Sequence, residues 1–327
     1  MKKILVIGAG SWGTAIANLL ADNSHQVFLS ANNQSVIDEI NNKSTNKKFL
    51  PDINLNSKIA AISDFSENLK SCDLVFLVIP SVAAAEVFKK ISKVKFKKSC
   101  KFVICSKGID KESLLFLGDL FEKLVKNKNY AVLSGPNFAI EVANRVPTIT
   151  TIAAKNKNLA KEVIAVLKNK NFHPQYFKDP LTAEVCGVVK NIIAIACGIV
   201  DGLDLGVNAK SAIVLKGISE IQLLCKKLGA STDLVNAAGF GDIFLTCSSA
   251  KSRNNSLGTL LSKGRTYLEI SKSSGKTFEG SASALSVAKI AKKLNLQLDL
   301  CEKVQKILTK KHTPTQIKSI ITKLILS

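Results

Sequence analysis

The chain has 327 residues, 46% of them hydrophobic, and carries a net charge of +21. That length and apolar content allow two domains with cores of their own and exclude a disordered polypeptide. The charge invites a nucleic-acid reading, but only Arg145, Arg253 and Arg265 are arginine among 46 basic residues, and few aromatics interleave with the lysines, so a solvated lysine-rich surface is expected instead.

Residues 3–7, KILVI, form a short apolar run rich in β-branched side chains, which predicts a buried parallel strand. It leads straight into Gly8-Ala9-Gly10-Ser11-Trp12-Gly13, then an alanine-rich helical stretch at 14–21 and a second strand at 26–29. G-x-G-x-x-G alone is weak; set between a strand and a helix in one short unit, it predicts a dinucleotide-binding fingerprint. Gly8 serves the tight turn, Gly10 the approach of a pyrophosphate, and Gly13 the close packing of helix on strand, with the helix N-terminus facing the phosphate charge. At the end of the second strand, an acid would hold the ribose of NAD and a basic residue the 2′-phosphate of NADP. Here the chain reads Ser30-Ala31-Asn32-Asn33. A nicotinamide dinucleotide is expected, NAD or NADP, with only modest discrimination between them.

Strand-like runs recur at 58–62, 73–79, 101–105, 131–133 and 148–153, separated by helical or loop segments, and predict a mostly parallel sheet covered by helices. A helix at 158–167 and a strand at 173–177 close this layer, and Asp179-Pro180 marks a break. Beyond it, helical patterns dominate at 183–200, 209–228, 256–261, 267–271 and 281–294, with two more around Pro314. The expected fold is an α/β N-terminal Rossmann-type domain over 1–180 followed by an all-α C-terminal domain over 181–327, with a cleft between them. No leader-like segment precedes the first strand, and the longest apolar run, 185–200, is shorter than a bilayer span. The eight cysteines include no C-x-x-C pair and read as core residues rather than metal ligands. A cytoplasmic protein without membrane insertion, nucleic-acid partner or metal is expected.

The run at 185–200, VCGVVKNIIAIACGIV, has Lys190 and Asn191 as its only strongly polar residues. A helix so apolar is buried on nearly every face, and an ammonium group there is costly unless paired or used. Desolvation makes a lysine a usable general acid or base near neutrality. Lys107 follows the strand at 101–105, on the sheet edge where ligands of open α/β sheets bind. Ser134-Gly135-Pro136-Asn137 follows another strand end, and Asp242, after Gly239-Phe240-Gly241, could accept from a substrate hydroxyl or orient Lys190. In Ser252-Arg253-Asn254, the planar fork of Arg253 suits a phosphate, with hydrogen bonds from Ser252 and Asn254.

The stretches GAGSWGTAIA, CSKGI, LSGPNFAIEVA, VVKNIIAIACGIVDGLDLGVNAK, GFGDIFLTC and SRN, in that order and spacing, resemble the bacterial-type soluble NAD(P)-dependent glycerol-3-phosphate dehydrogenases. The resemblance implies interconversion of glycerol 3-phosphate and dihydroxyacetone phosphate, at the entry to glycerolipid synthesis. It implies that Lys190 is the proton acceptor in oxidation and the donor in reverse. Substrate contacts would come from Lys107, Gly135, Asn137, Lys190, Asp242, Ser252, Arg253 and Asn254. Cofactor contacts would come from Ser11, Trp12, Lys107, Ala139, Arg253, Thr277 and Glu279, besides Gly8, Gly10, Gly13 and the Asn32-Asn33 position. Two departures stand out: many relatives carry one or two basic residues at Asn32-Asn33, and many have Ser or Thr at Asn137. A homodimer is the assembly to test. The rival readings are a ketopantoate reductase, which would lack a phosphate anchor like Ser252-Arg253-Asn254, and a dinucleotide sensor, which would not need a lysine inside an apolar helix.

Overall fold

The computed structural model describes residues 1–249, 252–274 and 278–327, so the expected cofactor contact Thr277 lies outside the described residues. Two compact units divide the chain: residues 1–110 with 117–180, and residues 111–116 with 181–327.

The strands of the first unit are β1 (Lys3–Ile7), β2 (Gln26–Ser30), β3 (Thr45–Asn46), β4 (Leu50–Asn54), β5 (Ile59–Ile62), β6 (Leu74–Leu77), β7 (Lys101–Ile104), β8 (Tyr130–Ser134), β9 (Thr148–Ala153) and β10 (Phe172–Phe177). Its helices are α1 (Ser11–Asp22), α2 (Gln34–Lys43), α3 (Ser66–Ser71), α4 (Ala84–Ser92), α5 (Leu117–Val125), α6 (Ala139–Ala143) and α7 (Lys157–Leu167). Eight strands form one sheet in the order β10-β9-β8-β7-β6-β1-β2-β5. All pairs are parallel except β8–β9. Helices on both faces explain why β6 and β8 read as unbroken apolar runs: every residue of each is buried. The hairpin β3–β4 stands apart as a second, two-stranded sheet that the residue pattern did not announce. Burial pushes the Cys72 and Cys100 thiols up to about 11 and about 12, the behaviour of inert core residues.

The second unit is helical: α8 (Pro180–Gly202), α9 (Gly206–Lys227), α10 (Asp242–Ser248), α11 (Arg253–Ser262), α12 (Tyr267–Ser274), α13 (Glu279–Lys293), α14 (Asp299–Thr309) and α15 (Pro314–Leu326). A π-type turn at Ala237–Gly241 introduces α10. At 23 residues, α8 extends past the run at 185–200 and is long enough to cross a bilayer; the burial of its whole apolar stretch, not its length, marks it as a core helix. It lies directly on α11. A Cβ at Gly198 would collide with the Asn255 backbone, and one at Gly258 with the Ile195 carbonyl, so the two helices touch backbone to backbone.

Glu220 of α9 is only 5% exposed, and its carboxylate accepts from the backbone N–H groups of Leu300 (2.5 Å) and Cys301 (3.1 Å) at the start of α14. The carboxylate thus caps two donors that α14 leaves unpaired. Burial pushes the Glu220 carboxyl above its usual range, and the two N–H groups pull it partway back. An acid raised in the fold binds its proton more tightly there than in the unfolded chain, so its contribution to stability falls as pH rises from the unfolded value through the folded one. Against Glu220→Gln as reference, the melting temperature of the unmodified protein is expected to drop across that window. A relative rise would contradict the account. Glu220→Ala, which strands both N–H groups, is expected to cost about 1–3 kcal/mol at every pH in denaturant titrations.

Candidate functional site

In the sheet unit, the candidate residues lie at the carboxyl ends of β1, β2, β6 and β7. Gly8 has φ +109°, a region that L side chains rarely adopt, and a Cβ there would strike the Val78 carbonyl. A Cβ at Gly13 would strike the Gly8 carbonyl, so the helix can approach the turn only with glycine there. Around Gly10 there is open space, with no other group within 4 Å of where its Cβ would sit. That cradle fits a pyrophosphate: the backbone at Gly10 is open, and the first N–H groups of α1 carry no side-chain cap. Trp12 is half-buried against the core, while Ser11 donates to the Phe49 carbonyl at 2.7 Å. Asn32 and Asn33 are exposed at the end of β2, and Asn33 caps α2 by accepting from the Ser35 N–H at 2.9 Å.

Along the same edge, Lys107 stands three residues past β7 in a loop fixed on both sides. The Ser106 hydroxyl accepts from the Ile79 N–H (3.0 Å) and donates to the Ile79 carbonyl (2.5 Å). Gly108 presses on Ser81, leaving no room for a Cβ. The loop after β8 is held by Asn137, whose Oδ1 accepts from the Thr150 hydroxyl (2.8 Å) and whose Nδ2 donates to the Ile149 carbonyl (2.9 Å). Gly135 is confined by Thr150 and by the Asn137 Oδ1 itself. Asn137 therefore shapes the loop, and its side chain keeps one amide hydrogen and one Oδ1 lone pair for a substrate contact. Ala139 opens α6 directly after it.

The helical unit holds a cluster of its own. Lys190 on α8 is 7% exposed, and its Nζ donates to Asp242 Oδ1 at 2.6 Å and to the Thr246 hydroxyl at 2.9 Å. Asp242 and Thr246 lie one turn apart on α10, facing α8 together. The ion pair offsets the cost of burying the ammonium, and Thr246 in turn donates to the Asp242 carbonyl at 2.6 Å. Asp201, which shares the helical stripe of Lys190, binds Lys210 instead at 2.7 Å.

Ser252-Arg253-Asn254 is the start of α11, three residues ahead of the expected helix at 256–261. Ser252 is the N-cap, accepting from Asn255 N–H at 3.3 Å, and Arg253 stands exposed on the first turn. A helix N-terminus with an arginine on it suits a phosphate group. Asn254 is 8% exposed; its Nδ2 donates to Asn191 Oδ1 (2.9 Å) and its Oδ1 accepts from Gly280 N–H (3.1 Å). That chain ties α8, α11 and the start of α13, where Glu279 stands, into one frame. Thr246 and Asn191 were not singled out from the sequence. A hydroxyl one helical turn after Asp242 was the available signal for Thr246, and adjacency to Lys190 the one for Asn191.

A parallel sheet edge with a glycine cradle open to a pyrophosphate, on a chain that also buries a paired lysine, defines a nicotinamide-dependent oxidoreductase of Rossmann type. Comparison with known proteins narrows the class. The models for the N-terminus and C-terminus of NAD-dependent glycerol-3-phosphate dehydrogenase match residues 3–160 and 179–319. A glycerol-3-phosphate dehydrogenase (NAD(P)+) of Bacillus velezensis is 38% identical over 312 residues, covering 94% of this chain and 90% of its own. One from Parvibaculum lavamentivorans is 35% identical over 309 residues, with 94% and 92% covered. A crystal structure of glycerol-3-phosphate dehydrogenase from Coxiella burnetii aligns with a TM-score of 0.93 at 31% identity, covering 100% of this chain and 99% of that one. The chain belongs to the NAD-dependent glycerol-3-phosphate dehydrogenase family, and its cofactor is NAD or NADP.

Proposed function

We propose that this protein interconverts sn-glycerol 3-phosphate and dihydroxyacetone phosphate, and that it does so in the cytoplasm, as a homodimer, to supply glycerol 3-phosphate for glycerophospholipid synthesis. The observation that carries the reaction is the Lys190 ammonium, buried in an apolar helix and held by Asp242 and Thr246. A nicotinamide bound at the fingerprint would supply or accept the hydride. Lys190 gives its proton to the carbonyl oxygen in reduction and takes it from the hydroxyl in oxidation. Asp242 and Thr246 fix the direction of that ammonium, and Lys107 steadies the oxygen on which negative charge develops. Arg253 and the α11 N-terminus take the substrate phosphate, with Ser252 and Asn254 beside them, so a group that does not react orients the carbon that does. Gly135 and Asn137 contribute the loop after β8 to the substrate, and Ala139, Glu279 and Trp12 border the cofactor.

Initial rates with dihydroxyacetone phosphate and, separately, NADH and NADPH test the proposal. Turnover with at least one is the expected result, with dihydroxyacetone a poor substitute. Absence of turnover with both, in protein that binds the dinucleotide, would favour the sensor reading; turnover of ketopantoate in place of dihydroxyacetone phosphate would favour the reductase.

A further inference from the structure

The hairpin β3–β4 joins no strand of the main sheet and is fastened on two sides instead. On one side, Asn46 Nδ2 donates to the Ala9 carbonyl (3.1 Å) and to the Thr14 hydroxyl (2.9 Å), while Ser11 donates to the Phe49 carbonyl. The turn at 46–49 therefore rests on the fingerprint loop and the first turn of α1. On the other side, Glu39 of α2 accepts from the Thr45 hydroxyl (2.8 Å) and from the Lys47 N–H (2.9 Å). Residues 47 and 48 are thus held between the loop that receives a pyrophosphate and the helix that follows β2. In a dinucleotide-binding unit this is the flank of the adenosine ribose, whose 2′ group is read near the end of β2.

The fastening is made at a cost to the fold. Asn46 is fully buried, and its Oδ1 has no hydrogen-bond partner among the described residues. A buried acceptor left bare is expensive and calls for a reason beyond packing. The lysines themselves are exposed, and the Lys48 ammonium lies 5.4 Å from the Phe49 ring centroid, above the turn. Residues 38–48 hold three lysines, Lys43, Lys47 and Lys48, and two acids, Asp38 and Glu39, which leaves the strip net cationic. Glu39 is occupied by the hairpin backbone, and Asp38 accepts from Gln34 at 2.8 Å. Asn33, just past the end of β2, has its Oδ1 taken by the Ser35 N–H and hydroxyl.

We propose that Lys47 and Lys48 bind the 2′-phosphate of NADP(H), so that this chain prefers the phosphorylated dinucleotide although Asn32-Asn33 carry no charge. The proposal rests on the reading of the fingerprint as a nicotinamide dinucleotide site. It replaces the modest discrimination expected from Asn32-Asn33 alone with a preference carried by the hairpin.

The test is direct binding, by calorimetry or quenching of protein fluorescence, of NADPH, NADH, 2′,5′-ADP and 5′-AMP to the unmodified protein and to the Lys47→Gln/Lys48→Gln variant. The unmodified protein is expected to hold NADPH and 2′,5′-ADP more tightly than their unphosphorylated counterparts. The variant is expected to lose about ten- to a hundredfold for the two phosphorylated ligands, the range for charge-assisted hydrogen bonds, and to keep NADH and 5′-AMP unchanged. An Asn32→Ala/Asn33→Ala variant should retain the preference. Equal loss for NADPH and NADH would place the lysines on the shared pyrophosphate and overturn the proposal, as would a variant that loses nothing. Failure of the unmodified protein to bind either dinucleotide would instead overturn the reading of the fingerprint itself. Both lysines are exposed, so a melting curve separates lost binding from lost folding.

Discussion

Lys190→Ala is expected to lower turnover by about 10²–10⁴-fold, the contribution of a positioned general acid–base group, and to leave dinucleotide binding at its original strength. The two effects separate because Lys190 belongs to the helical unit and the glycine cradle to the sheet unit. The substitution also leaves the Asp242 carboxylate 1% exposed with its cationic partner gone. Removing one member of a buried pair typically costs about 3–5 kcal/mol, so part of any loss could come from folding. Lys190→Met combined with Asp242→Asn removes the stranded charge and should restore the melting temperature without restoring turnover. A folded Lys190 variant that turns over at the original rate with saturating substrate would end the assignment of Lys190 as proton carrier.

For Arg253→Lys, use of dihydroxyacetone phosphate should weaken by about 1.5–3 kcal/mol in kcat/KM, the scale of a hydrogen bond to a charged group. Lysine keeps the charge at the start of α11 but offers no planar fork for two parallel hydrogen bonds. Arg253→Ala should cost more. With dihydroxyacetone, which has no phosphate, the loss should be much smaller, so that arginine and phosphate are coupled as in a double-mutant cycle with the ligand as one partner. Because Arg253 is exposed while its neighbours Ser252 and Asn254 carry the cap and the amide chain, stability should hardly move. Equal losses with both substrates would mean that Arg253 serves the cofactor or the fold.

What could be read from the residues was local. The fingerprint is visible because turn, approach and packing each demand glycine within six positions. The apolar helix is visible because only Lys190 and Asn191 interrupt it. What could not be read depends on distant partners. Lys190 meets Asp242 across 52 positions, and Asn191 meets Asn254 across 63. The hairpin escaped notice because β3 has only two residues and β4 contains Pro51, so neither shows strand alternation. The antiparallel β8–β9 pairing and the grouping of residues 111–116 with the helical unit likewise follow from the tertiary path rather than from any local signal. Helix α11 was expected to start late because Ser252-Arg253-Asn254-Asn255 is polar, whereas polarity there is what a capped first turn requires.

The bare contact between α8 and α11 has a consequence for which molecules fit. Lys190 rides on one helix and Arg253 on the other, and nothing but backbone separates them at Gly198 and Gly258. On the proposed roles, the gap between the proton and the phosphate anchor works as a gauge for the length of the substrate, and its setting depends on two absent methyl groups. Alanine at either glycine would push the helices apart and reset the gauge without touching a single group that meets the ligand. Such a protein should discriminate less sharply between a three-carbon phosphate and a longer homologue, so a change in selectivity could arise at a position that no map of ligand contacts would mark.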